Sequence, residues 1–374
     1  MTDIQGICPP EFDAVRRAFE GNFENDGELG ARFSLAVDGE VVVDLYGGWA
    51  DRHETKPFGP DTLTPIFSTT KAIASILVAR LVEQGKLSYG QRVADVWPEF
   101  AQNGKEAVTV EQAMSHQAGL SGFPEEMDQT LWFDWDAICA KLAAMKPLWP
   151  VGSASGYHPV TFGYLAGEIF RRVDGRTMGT ALREDIALPA GLDLWIGLPD
   201  AEHGRVAELK RPSALPKFGA INEALTAAFL TPWAAPGGKT GADWRRAEIP
   251  SANGHATAPS LALLMAALAT DGETGGVHIL SPQTRDKAAR ERIRGQDLVL
   301  PFVMSWGAGF MRNPPNMIYG PGERTFGHSG WGGSCAFADP ERRISGAYVM
   351  NKQSVELIGD ARSRRLIDAA YTAL

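Results

Sequence analysis

Apolar and polar residues alternate near both ends of the chain and recur at helical spacing between them. Phe33, Leu35 and Val37 alternate with polar or small residues, and Val41, Val43 and Leu45 continue the pattern beyond Asp38-Gly39. A period of two puts alternate side chains on one face of a strand, and Asp-Gly supplies the positive φ angles of a two-residue turn, so this stretch predicts a hairpin. A second hairpin is predicted where Ser334-Cys-Ala-Phe-Ala runs into Asp339-Pro-Glu-Arg and Ile344-Ser-Gly-Ala-Tyr-Val-Met350 returns. Between these ends, Ile73, Ile76, Leu77, Val78, Leu81 and Val82 predict a helix over residues 70–84, stopped by Gly85. Further helices are predicted over 10–24, 261–268 and 355–374, the last from Leu357, Ile358, Ala361, Leu366, Ile367 and Ala370.

Strands from both termini with helices between them predict an α+β fold: an antiparallel sheet built from both chain ends, flanked by helices, with a mainly helical region inserted. The expected division is a discontinuous sheet domain, 1–72 with 300–374, and a helical domain, 73–299, with the active site in the cleft between them. Pro/Gly-rich stretches at 145–159, 211–254 and 312–333 are the expected loops.

Composition adds limits. A chain of 374 residues, 44% hydrophobic, has ample core material, and a net charge of −9 argues against nucleic acid and anionic membrane surfaces as partners. No apolar stretch is long enough to span a bilayer, so no membrane insertion is expected. No basic start followed by an apolar run opens the sequence, which predicts a cytoplasmic protein. Cys8, Cys139 and Cys335 stand too far apart for a disulfide framework or a zinc site. None of the seven histidines has metal-ligand spacing, so neither metal nor cofactor is expected. His116 and His255 are read as hydrogen-bonded scaffold residues.

Candidate chemistry begins at Ser68-Thr69-Thr70-Lys71, at the start of a predicted helix. Residues three apart share a helix face, so the lysine amine can reach the serine hydroxyl, while the helix N-terminus offers unpaired amides to a developing oxyanion. The plainer alternative is a capping serine beside a solvated first-turn lysine, although a lysine there opposes the helix dipole. Such a spacing arises by chance in a chain of this length, so context must carry the weight. Tyr157, in Gly156-Tyr157-His158-Pro159, sits at a loop–helix junction where it faces a cleft or packs in the core. The glycine-rich run Gly327-His328-Ser329-Gly330-Trp331-Gly332-Gly333 leads into the second hairpin, as a site or as a bulged edge strand.

In order and spacing these segments resemble the serine β-lactamase and penicillin-binding-protein superfamily, its class C-like enzymes, and most nearly the family VIII carboxylesterases. Ser68-x-x-Lys71 resembles the nucleophile motif, Tyr157 the tyrosine of the second motif, and His328-Ser329-Gly330 the third, usually Lys-Thr-Gly. Val108–Leu120 and Ala252–Ala258 are also similar to the family, and the likeness runs over roughly residues 25 to 372. The resemblance implies a β-lactamase-like fold and an acyl-enzyme on Ser68, with Lys71 and Tyr157 sharing the proton transfers. It implies an oxyanion hole from the amides of Ser68 and Trp331, and substrate contacts from His328, Ser329, Gly330 and Trp331.

Two departures qualify it. Pro159 stands where the second motif usually has an Asn amide, and His328 puts a titratable imidazole where the third motif has a fixed cation. Both changes resemble the esterase branch, so the expected activity is hydrolysis of small short-acyl esters. The alternatives are β-lactam or D-alanyl-D-alanine peptide hydrolysis, or an inactive homologue that binds a ligand in the old cleft. The oligomeric state is not readable from the sequence.

Overall fold

The computed structural model describes residues 2–238 and 241–374. Among these residues nine strands form one antiparallel sheet, in the spatial order Ile4–Ile7, Glu40–Gly48, Gly30–Val37, Ile344–Met350, Cys335–Asp339, Phe326–Ser329, Met311–Arg312, Val303–Trp306 and Ile293–Gln296. Both chain ends meet inside it, where Phe33 lies opposite Tyr348 and Leu35 opposite Gly346. Both predicted hairpins form; the first turns at Asp38 and Gly39, whose φ angles are 50° and 92°.

Alternation assigns the faces. Phe33, Leu35, Val43 and Leu45 pack against Val15 and Phe19 of the helix Asp13–Asp26 and Leu366, Ile367 and Ala370 of the helix Ala361–Ala373. Ala336, Ala338, Ala347 and Val349 point the other way, toward the helix Ala258–Ala269, where the Ser345 hydroxyl also donates to Ala262 O at 2.8 Å. With helices on both faces, the polar positions of the alternation are covered too. Arg32 and Ser34 are buried and both bond Asp44, at 2.6 Å from Arg32 Nη2 and 2.6 Å from Ser34 Oγ.

The helix Thr70–Glu83 is apolar almost all round and is buried almost all round, as a helix in the middle of a protein should be. Gly85, at φ 68°, ends it in the left-handed conformation that other residues resist. It follows directly on the strand Thr64–Phe67, which pairs with Gly254–Ala256 in a small second sheet.

Three boundaries differ from expectation. The N-terminal helix runs Asp13–Asp26 after a tight turn at Pro10–Phe12, because the prolines fit only a helix start. The last helix begins at Ala361, not 355: Gly359 has φ 64° and the Asp360 carboxylate caps the Arg362 N–H at 2.8 Å, which leaves Leu357 and Ile358 outside it. The strand Ile293–Gln296 pairs with Val303–Trp306, so a domain boundary at residue 300 falls within a hairpin.

Removing one partner of a buried ion pair leaves the other charge uncompensated. Asp44→Ala, which strands Arg32 inside the sheet, is expected to cost about 3 kcal/mol, read as a lowered denaturant midpoint at unchanged slope.

Candidate active site

Ser68 occupies the joint between the strand Thr64–Phe67 and the helix Thr70–Glu83. The joint is strained: Phe67 has φ 45°, a region that bulky residues avoid at a cost of about 1–3 kcal/mol. Local bonds hold it there. Ile66 O accepts from Thr69 N at 3.1 Å and from Ser334 Oγ at 2.8 Å, and the Thr70 hydroxyl bonds both Phe67 O and Gly254 N. The kink leaves Ser68 partly exposed while its neighbours are buried.

Lys71, one helical turn on, is fully buried, and its Nζ lies 3.1 Å from Ser68 Oγ. The same nitrogen donates to Pro159 O at 2.7 Å and to Ser251 O at 3.0 Å. Burial alone pushes its pKa well below that of an exposed lysine, because no carboxylate stands by to hold the proton. A neutral amine has two N–H bonds and one lone pair; with both hydrogens on carbonyls, the lone pair is left for the Ser68 hydroxyl.

Tyr157 closes the third side, with Lys71 Nζ 4.7 Å from its ring centroid. Burial raises the phenol pKa above the ordinary value; the Ser68 hydroxyl opposes that shift and the Asp297 carboxylate adds to it. The loop is fixed by Gly156 N donating to His116 O at 3.0 Å and Tyr157 N to Asp297 Oδ1 at 2.9 Å. His116 Nδ1 accepts from His158 N at 3.2 Å, so it is a hydrogen-bonded scaffold residue, with burial holding its pKa far down. His255 differs: it is buried against Trp244, and neither ring nitrogen has a partner among the described residues.

The fourth side is the turn between the strands Phe326–Ser329 and Cys335–Asp339. Gly330 packs so closely on Ile66 O and Ser334 Oγ that a Cβ would collide with both, and the Arg362 guanidinium bonds Gly332 O at 3.0 Å. Among the described residues, the amides of Ser68 and Trp331 have no protein acceptor.

These groups open on a cavity of about 570 Å³ lined by Ser68, Tyr157, Ser329 and Trp331. Its other walls are largely apolar, with Phe67, Phe229, Met311, Leu357 and Ile358 among them; Arg211 is the one charged lining residue among those described. His328 and Gly330 stand behind the wall. Burial takes the His328 pKa down to about 3, and its Nδ1–H donates to Ser329 O at 2.8 Å, so the imidazole is neutral rather than cationic.

The sequence reading missed the two carbonyls that hold Lys71, and Pro159, there noted for its missing side-chain amide, supplies one of them. Main-chain oxygens leave no mark in a sequence. Asp297 also went unremarked, although a lone Asp between the apolar runs at 293–306 was the available signal. Among the described residues no group of three or more His, Cys, Asp or Glu could hold a metal ion, and no helix is long and apolar enough to cross a membrane.

Comparison with known proteins follows this geometry. A profile of the Beta-lactamase family matches residues 15–370. The chain is 35% identical over 368 residues to Esterase/beta-lactamase LipL of Mycobacterium tuberculosis, covering 93% of this chain and 83% of that one. A penicillin-binding protein homolog from Caulobacter crescentus superposes over the whole of both chains with a TM-score of 0.98 at 70% identity. A family VIII carboxylesterase does so with a TM-score of 0.94 at 43% identity. With Ser68 and Tyr157 on one cavity, Lys71 buried behind them, and this likeness along its whole length, the chain belongs to the Beta-lactamase family.

Proposed function

We propose that this protein is a serine carboxylesterase that hydrolyses small, uncharged, short-acyl esters through an acyl-enzyme on Ser68. The observation that carries the reading is the buried Lys71 Nζ, within hydrogen-bond distance of Ser68 Oγ, Pro159 O and Ser251 O and with its pKa lowered by burial. Ser68 Oγ attacks the ester carbonyl carbon as its proton passes to Lys71, and the oxyanion forms against the amides of Ser68 and Trp331. Tyr157, held protonated by burial, hands a proton to the departing alkoxide and is recharged from Lys71, so the pair acts as one unit. Water then attacks the acyl-enzyme by the same route reversed, which regenerates Ser68 and releases the acid.

The wall supports uncharged esters over β-lactams. A neutral His328 behind the surface provides no cation for a substrate carboxylate, and the lining is largely apolar. One structural relative, a family VIII carboxylesterase, points the same way by name, while LipL is named for both activities. The cytoplasmic location expected from the sequence is part of the same proposal.

Ser68→Ala is expected to lower kcat for nitrophenyl butyrate by at least about a thousandfold and to abolish labelling by a fluorophosphonate. The wild-type adduct should map to Ser68 by mass spectrometry, and nitrocefin turnover should fall far below ester turnover. Retained ester activity in the variant would remove the proposal.

The pH dependence follows from the directions of the shifts. A base works unprotonated, so kcat/KM rises with pH as Lys71 loses its proton, at a pH well below that of an ordinary lysine. It then stays level on the alkaline side, because the raised phenol keeps Tyr157 a donor. His328 contributes no step between about pH 5 and 8, since burial has moved its titration to about 3. Initial rates across the pH range check this; an alkaline limb rising only near an exposed lysine's pKa would contradict it.

A further inference from the structure

A carboxylate that the chemistry above does not use stands behind Tyr157. Asp297 follows the strand Ile293–Gln296 and is 4% exposed. Its Oδ1 accepts from the main-chain N–H groups of Tyr157 at 2.9 Å, Val299 at 2.9 Å and Leu300 at 3.0 Å. Its Oδ2 accepts from the Ser155 hydroxyl at 2.8 Å and the Trp306 indole N–H at 3.3 Å. No lysine or arginine is among these partners, so hydrogen bonds alone offset the cost of burying the group.

The sources of the five donors matter. Val299 and Leu300 belong to the turn that Asp297 itself begins, and a residue serving only that turn would need no more. The other three lie elsewhere: Ser155 and Tyr157 about 140 positions earlier, and Trp306 on the neighbouring strand. The Trp306 ring is stacked on Tyr157, with centroids 5.7 Å apart and planes 8° from parallel. One carboxylate thus grips the backbone at Tyr157, the residue two before it, and the ring on which the phenol lies.

We propose that Asp297 is a positioning residue for Tyr157, fixing the loop and ring so that the phenol meets Ser68 and Lys71 in working geometry. This rests on the reading of Tyr157 as a proton carrier. The titratable groups facing the phenol are Lys71 at 4.7 Å from the ring centroid, His116 with ring centroids 5.0 Å apart, His328 at 6.1 Å, Tyr319 and Asp297. Burial lowers the pKa values of Lys71, His116 and His328 and raises that of Tyr319, favouring the neutral form of each. The Asp297 carboxylate adds to the raised pKa of the phenol and so favours its protonated form.

Asp297→Asn keeps the volume, removes the charge and turns an N–H toward at least one donor. A misplacement of about 1 Å costs about a hundredfold in rate, so kcat for nitrophenyl butyrate should fall about tenfold to a hundredfold, with KM within about twofold. The Tyr157 phenol, followed by carbon-13 tyrosine NMR and assigned by its loss in Tyr157→Phe, should titrate at lower pH than in the wild type. Wild-type kcat with an unmoved Tyr157 titration would overturn the proposal.

If thermal denaturation shows Asp297→Asn to be unfolded, Ser155→Ala removes a single donor and should still lower kcat severalfold in a folded protein. An unchanged kcat there would also overturn it. Absence of any ester turnover in the wild type would instead remove the esterase reading, while the Tyr157 resonance in Asp297→Asn still tests the positioning.

Discussion

The site depends on an amine buried without a counter-ion. A lysine in that position loses hydration on which its charge relies, and with no carboxylate nearby the neutral form is favoured. Two main-chain carbonyls then take its hydrogens, and the remaining lone pair has Ser68 in front of it. The same burial lowers the pKa of Lys71 and raises that of Tyr157, so one condition, exclusion of water, favours the neutral form of each and suits the base and donor roles proposed for them.

Much of the fold serves to keep that arrangement dry and fixed. Pro159 O comes from the Tyr157 loop and Ser251 O from the segment before the strand Gly254–Ala256. The Asn253 side chain holds that segment through Trp244 O, Ala247 O and Ile249 N. The Gly330–Gly333 turn is held from two sides, by Ser334 on Ile66 O and by Arg362 on Gly332 O. Arg362 is itself buried between Glu28 and Asp360, at 2.9 Å from each, so the far end of the sheet bears on the turn. Elements from the whole length of the chain converge here, which is why the site cannot be assigned to one lobe.

How much of this was legible follows from where the information sits. The hairpins about Asp38-Gly39 and Asp339–Arg342 could be read because alternation and turn residues are local, and the meeting of both termini in one sheet followed from them. Ser68, Lys71 and Tyr157 could be named as candidates because side chains with chemistry are visible in a sequence, and the structure brings the three together. The start of the last helix was misjudged because Leu357 and Ile358 fit its apolar period, while Gly359 and Asp360 decide the boundary. Arg32 and Ser34 stand at the polar positions of the alternation, and the packing of helices on both faces buries them. Pro159 read as a deficit, since its contribution is a carbonyl that any residue would carry. His328 read as a titratable imidazole in place of the third motif's fixed cation; its lowered pKa is a property of depth, which no local pattern encodes.

The most direct test is the protonation state of Lys71 itself, followed through its Nζ or Cε resonance in selectively labelled protein over a pH titration. The account predicts an amine that titrates well below the range of exposed lysines, with the signal lost in Lys71→Met. An ammonium that persists to about pH 10, where free lysines titrate, would contradict it.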